Sequence, residues 1–198
     1  MTAKEIIINI LSTGTLIIQI FILIYIITLV TKNKISDKIN KFLYERNIEI
    51  IIAISLIAVL ASLFISEIAG IDPCKLCWYQ RAFTYPILII ALVSLITKER
   101  VYAKCILSLA AISLLIGTYH YSLQIKNVFF TVQNAVCSAT GPSCSQTSFM
   151  QYGYITIPLM NITAMLLIII LCIIKLKTYF LNNKTKIIAL KKETTAPK

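Results

Sequence analysis

Charge, glycine and histidine are all scarce in this 198-residue sequence. It holds 8 acidic residues against 19 basic ones, five glycines, five prolines and a single histidine. No internal repeat, Gly/Ser linker or low-complexity block divides the chain, apart from a lysine-rich end. Charge is nearly missing from five stretches, Ile6 to Val30, Ile48 to Ile65, Ala82 to Ile96, Cys105 to Tyr121 and Ile155 to Ile174. Roughly 20 helical residues cross a hydrocarbon core, so each stretch is long enough, or nearly so, to span. The third is the shortest and can borrow Trp78 and Tyr79, whose aromatic rings suit an interface. Five spans leave little chain for a soluble domain.

Lipid offers no partner to a backbone amide, and the runs are too long and too continuously apolar for alternating barrel strands. The expected fold is therefore all-α and integral to the membrane. Its stability is expected to come from close packing and interhelical hydrogen bonds, because lipid tails are as apolar as leucine.

The formal net charge of +11 suggests nucleic acid until the positions are inspected. Lys32, Lys34, Lys38, Lys41 and Arg46 follow the first run, Lys98, Arg100 and Lys104 follow the third, and seven lysines follow the last. Only Lys4, Lys75, Arg81 and Lys126 lie in the alternate segments. Such sorting predicts the N-terminus and two loops outside and the C-terminus in the cytoplasm. A cleavable signal is rejected for the first run, which is too long, lacks a small-residue cleavage site and is followed at once by basic residues. The lysine-rich end reads as a solvated tail near anionic headgroups.

This topology separates the six cysteines. Cys74 and Cys77 fall in one outside loop, Cys137 and Cys144 in the other, and Cys105 and Cys172 lie within spans near the cytoplasmic side, where they read as inert packing residues. Outside pairs in an oxidising compartment read as disulfides or exchanging dithiols. Asp72-Pro73-Cys74 looks like a helix start, with Asp72 as N-cap and Pro73 at the first helical position. Both thiols then sit in the first turn, where the helix dipole favours thiolate and residues three apart share a face. Arg81 follows one turn later. It either serves a buried chemical purpose or snorkels to headgroups. In the second pair the Gly141-Pro142 step turns a short exposed loop, which is either an exchangeable disulfide or a permanent staple. His120, between Tyr119 and Tyr121, reads from the residues alone as an interfacial side chain satisfied by water, with a redox-ligand neighbour as the second reading.

Taken together these residues resemble the DsbB/BdbC family of membrane thiol oxidases, in particular its short-loop BdbC-like branch. The likeness runs through Ser66-Glu67, Pro73-Cys74-Lys75-Leu76-Cys77-Trp78-Tyr79-Gln80-Arg81, Tyr85-Pro86, His120-Tyr121, Cys137, Gly141-Pro142-Ser143-Cys144-Ser145 and Ile155-Thr156-Ile157-Pro158. A lone C-x-x-C is weak, whereas C-x-L-C-W-Y-Q-R with a second outside pair is specific. The resemblance implies a four-helix redox domain over residues 48–175, preceded by an additional transmembrane helix and basic cytoplasmic linker (1–47) and followed by a basic cytoplasmic tail (176–198). It implies the disulfides Cys74–Cys77 and Cys137–Cys144 in a bacterial cytoplasmic membrane. In that relay Cys137 meets an extracytoplasmic thioredoxin-like (DsbA-like) partner, Cys144 exchanges with Cys74, and Cys77 faces a quinone, either ubiquinone or menaquinone. Arg81 and His120 become expected quinone neighbours.

The additional first span departs from the family pattern, and so does the short spacing of the second pair, which weakens the assignment of Cys137 as the residue attacked first. Gln80 stands where the long-loop branch often has an acid, so no proton-transfer role is assigned to it. An enzyme resembling vitamin K epoxide reductase would carry its quinone-side C-x-x-C late in the chain rather than first. A structural zinc held by the four outside cysteines, and a scaffold with two bracing disulfides, are the readings from other classes.

Overall fold

The structure is a computed structural model that describes residues 3–31, 34–97, 102–130 and 142–194, so Cys137 and Gly141 lie outside the described residues. Among the described residues six α-helices follow in order: α1 (Ala3–Val30), α2 (Lys34–Glu45), α3 (Asn47–Leu63), α4 (Lys75–Thr97), α5 (Tyr102–Phe130) and α6 (Ile157–Thr194). A π-helical turn, Phe64–Ile68, extends α3. Five of these segments are long and apolar enough to cross a membrane: Lys4–Val30, Asn47–Ile68, Lys75–Thr97, Tyr102–Phe129 and Ile157–Leu181. The all-helical expectation with one span near the N-terminus is met.

The four later spans close on one another, α3 against α4, α4 against α5, α5 against α6, and α6 back against α3. Small residues allow this approach, because without a hydrophobic drive between helices the backbones must come close for dispersion to count. Ala91, Ala103 and Ala110 are fully buried among Ile87, Ile106, Ile168 and Leu171. Gly117 meets α6 directly, and a Cβ placed there would lie 3.0 Å from Ile162 Cγ1. The outward faces carry Leu60, Ile89, Ile96 and Leu115, exposed as lipid-facing side chains must be. The α1 helix lies against α6, and α2 touches α1, α3 and α6.

Two features differ from the sequence expectation. The basic linker after the first span is a helix, α2, whose Leu43 is buried and whose Ile39 packs on the core while Lys38, Lys41 and Phe42 stay exposed. Residues four apart share a face, and that face was hidden in a segment dominated by lysine. The lysine-rich end continues α6 as far as Thr194.

Polar groups inside the bundle are paired across helices. At the α2–α3 end, buried Asn47 donates from Nδ2 to the Leu171 carbonyl at 2.8 Å and accepts from Tyr102 Oη at 3.1 Å. Farther along, Thr84, Ser113 and Asn161 join α4, α5 and α6 at 3.1–3.3 Å. Bonds of this kind contribute about 0.6 kcal/mol on average in helical membrane proteins, up to about 1.7. Replacing Asn47 by leucine removes both of its bonds and orphans the Tyr102 hydroxyl. We expect a loss of about 1–2 kcal/mol, read as a lower thermal midpoint in detergent; an unchanged midpoint would show that the cluster is dispensable.

Candidate active site

The site begins where α3 ends. Gly70 adopts φ +65°, the left-handed region that glycine enters at no steric cost, and Ile71 N–H closes back onto the Ile65 carbonyl at 3.1 Å. That stop turns the chain toward α4. The helix begins later than Asp72 and Pro73 suggest: the first helical bond runs from Trp78 N–H to the Cys74 carbonyl at 3.1 Å, which makes Cys74 the capping residue. Pro73 therefore lies before the cap, and Cys77 sits in the first turn.

Cys74 and Cys77 are carried as thiols, Cys74 Sγ donating to Cys77 Sγ at 3.2 Å. His120, only 1% exposed, reaches them from α5 with Nε2 at 3.6 Å from Cys74 Sγ. Its Nδ1 accepts from Gln80 Nε2 at 2.9 Å, which leaves the ring proton on Nε2, directed at the Cys74 sulfur. The interfacial reading of His120 is thus corrected: its ring is satisfied by protein rather than by water or headgroups, because α5 turns it inward toward Gln80 and Cys74. The thiol of Cys74 is pushed from 9.0 up to about 12, first by the hydrogen bond that it donates to Cys77 and then by burial, with His120 opposing both. The dipole at the start of the helix does not make the two sulfurs equivalent. Cys74 keeps a proton that Cys77 accepts as a hydrogen bond.

Arg81 is half-buried, and its Nη2 donates to the Ser62 carbonyl at 2.9 Å while its Cζ lies 5.3 Å from the centroid of the Trp78 ring. Ser62 stands just before the π turn, where the change in helical pairing alters which carbonyls find an amide partner. Its carbonyl also receives Ser66 Oγ at 3.3 Å, and its hydroxyl receives Tyr85 Oη at 3.3 Å. Arg81 is therefore held sideways between helices rather than extended to headgroups. Cys144 is buried and lies within electrostatic reach of Cys77. Cys172 is buried in the core near the other end of the bundle and Cys105 is exposed on α5, both away from the pair.

The cysteine pair, Gln80, Arg81 and His120 face one cavity of about 410 Å³. Its polar end carries Cys74, Cys77, Gln80, Arg81, His120 and Gln124, and most of the remaining lining is aliphatic. Gln124 Nε2 donates to the Gln146 carbonyl at 3.2 Å, whereas its buried Oε1 has no hydrogen-bond partner among the described residues. Ligand pockets commonly measure 300–1,000 Å³, mostly apolar with a few convergent polar groups. Cys74 Sγ, Cys77 Sγ and the His120 ring nitrogen also lie within 4.8 Å of one another, a spacing that can hold a soft divalent ion. Gln80, Ser62 and Gln124 went unassigned in the sequence. For Gln80 a signal existed, since it lies one helical turn after Cys77; for Ser62 and Gln124 none did.

The family model described as "Disulfide bond formation protein DsbB" matches residues 46–175. The chain belongs to the DsbB family. The SPbeta prophage-derived disulfide bond formation protein B of Bacillus subtilis is 40% identical over 108 residues, 54% of this chain and 70% of that protein. Disulfide bond formation protein C of Bacillus subtilis is 37% identical over 123 residues, 62% of this chain and 87% of that protein. A probable disulfide formation protein of Oceanobacillus iheyensis is 39% identical over 121 residues, 61% and 82% of the two chains. No solved structure matches this DsbB-family chain. It is a multi-pass membrane oxidoreductase of disulfide bond formation.

The unequal thiols give a chemical test. Alkylation requires thiolate, so in fully reduced protein at pH 8 iodoacetamide should modify Cys74 at least ~100-fold more slowly than an unhindered cysteine of ordinary pKa. The rate should climb as pH rises toward 12 and become ordinary on unfolding. Fast modification of native Cys74 at pH 8 would show that the proton is not held there.

Proposed function

We propose that this protein re-oxidises an extracytoplasmic thioredoxin-like thiol oxidase and passes the electrons to a membrane quinone, ubiquinone or menaquinone. The observation that carries this reading is the cavity: a dithiol, an arginine and a buried histidine line it together with a larger, mainly apolar surface. A quinone has that same division between oxygens and an apolar body.

In the proposed relay the 48–175 unit carries the redox chemistry. A partner thiolate attacks the Cys137–Cys144 disulfide at Cys137, and the partner's second thiol resolves the mixed disulfide, leaving Cys137 and Cys144 reduced. Cys144 then attacks the Cys74–Cys77 disulfide at Cys74, and Cys137 resolves it, leaving Cys74 and Cys77 as the dithiol. Two electrons and two protons pass from that dithiol to the quinone, which becomes quinol as the Cys74–Cys77 disulfide reforms. Burial of Cys144 within electrostatic reach of Cys77 supports a handover between the pairs.

The residues around the dithiol have distinct work in this scheme. Cys77 accepts the Cys74 hydrogen bond and is the sulfur set to face the quinone. Arg81, a permanent cation in a water-poor site, stabilises negative charge on Cys77 or on a quinone oxygen. His120 donates toward the Cys74 sulfur and steadies it when exchange leaves it anionic. The partnerless Gln124 Oε1 offers an acceptor to a quinol hydroxyl. The sorted lysines and arginines support an orientation with both cysteine loops outside the bacterial cytoplasmic membrane and the C-terminus in the cytoplasm.

A metal-holding reading draws on the convergence of Cys74, Cys77 and His120, but a permanently ligated dithiol cannot cycle through a disulfide. Purified protein given a reduced thioredoxin-like partner and quinone should yield one quinol per partner disulfide formed, and no quinol with either ubiquinone or menaquinone would overturn the proposal. Replacing Arg81 by leucine should slow quinol formation by roughly ten- to a hundred-fold, the ~1.4–2.8 kcal/mol of one strong electrostatic contact, while thiol exchange with the partner slows less. Equal slowing of both steps would remove Arg81 from the quinone step.

A further inference from the structure

The first helix lies outside the residues that the family model matches. Its part in the cavity is nevertheless extensive: Ile10, Leu11, Gly14, Thr15 and Ile18 all line it. Those positions fall one turn apart along a single helical face, so the face is built into the site rather than brushing it at one point. Ile54, Ile57, Ala58 and Ala61 of α3 line the same cavity. Together these residues give the cavity an apolar surface.

Hydrogen bonds tie α1 to the segments around the cavity. Lys4 Nζ donates to the Ala69 carbonyl at 2.9 Å, in the segment that leads to Cys74. Thr13 Oγ1 pairs with Tyr152 Oη at 2.9 Å, Tyr154 Oη donates to Gln19 Oε1 at 2.9 Å, and Gln19 Nε2 donates to Thr163 Oγ1 at 3.1 Å. The two tyrosines project from a tight turn in which Tyr152 (φ 52°) and Gly153 (φ 77°) are both left-handed, a conformation unusual for tyrosine. Thr163 lines the cavity as well. The α1 helix is thus tied to both ends of the site.

Gly14 is the open point of this wall. A Cβ built there meets no atom within 4 Å, so no close helix contact requires glycine, and helix propensity alone favours alanine. A larger side chain at this position extends into empty cavity space.

We propose that α1 is the wall of the redox cavity against which the apolar tail of the quinone lies, with Gly14 keeping that space open. The inference rests on the quinone reading and adds the part of the chain that selects the tail. The test uses the full-length protein in lipid nanodiscs, a dithiol as electron donor, and quinones with a long isoprenoid tail or with none. Replacing Gly14 by leucine raises KM for the long-tailed quinone by ten-fold or more and for the tailless one by less than three-fold. Titrated quenching of Trp78, the single tryptophan, shows the same weakening without turnover. Ile17→Leu, on an exposed position that does not line the cavity, leaves both KM values at the wild-type level.

If Gly14→Leu fails to fold, judged by its thermal midpoint, Leu11→Phe carries the same thresholds. Equal KM changes for the two quinones, or none, would overturn the role of α1 while wild-type quinone reduction still stood. Absence of quinone reduction in the wild type would overturn the quinone reading, and this inference with it.

Discussion

A polar group inside a bilayer must find its partner within the protein, and much of this structure follows from that constraint. Asn47 takes the Leu171 carbonyl and the Tyr102 hydroxyl, Thr84 takes Ser113 and Asn161, and Gln80 takes His120. Each bond crosses between helices, so each fixes how one helix is rotated against the next. The rotation that satisfies Gln80 is the one that delivers the His120 ring to the Cys74 sulfur. Pairing of polar groups and assembly of the redox site are, for α4 and α5, one event.

The same constraint explains the asymmetry of the two thiols. Cys74 is buried, caps α4, donates to Cys77 and receives the histidine, whereas Cys77 is less buried and stands one turn before Arg81. The two sulfurs of the pair are thus chemically unequal, one holding the proton that the other accepts. Arg81 contributes because it is held sideways by the Ser62 carbonyl and the Trp78 ring. Its cost in a membrane is lowered by those contacts, and its charge stays near Cys77.

The helix that precedes the family's bundle changes the shape of the site more than its chemistry. It adds no thiol and no charge to the cavity lining, only aliphatic side chains, one threonine and one glycine. What it supplies is enclosure on the side where the four-helix bundle would otherwise meet lipid directly. The amphipathic α2 completes this arrangement by bridging α1 to α3 and α6 at the other end.

The spans, the C-x-x-C spacing and the sorting of basic residues were legible along the chain, because hydropathy, helical periodicity and topology depend on neighbours in sequence. Arg81 was legible as a costly charge, and the cysteine pairs as a motif with few rivals. His120 was not, since its environment depends on a residue 46 positions away. Nor were the Ser62 carbonyl, the orphaned Gln124 oxygen and the cavity face of α1, because nothing local in the sequence says which way a uniformly apolar helix is rotated. Sequence by itself determined that five helices are long and apolar enough to cross a membrane and that a cysteine pair begins one of them. Packing alone decided which side chains meet that dithiol, since the azimuth of each helix is set by contacts with the others.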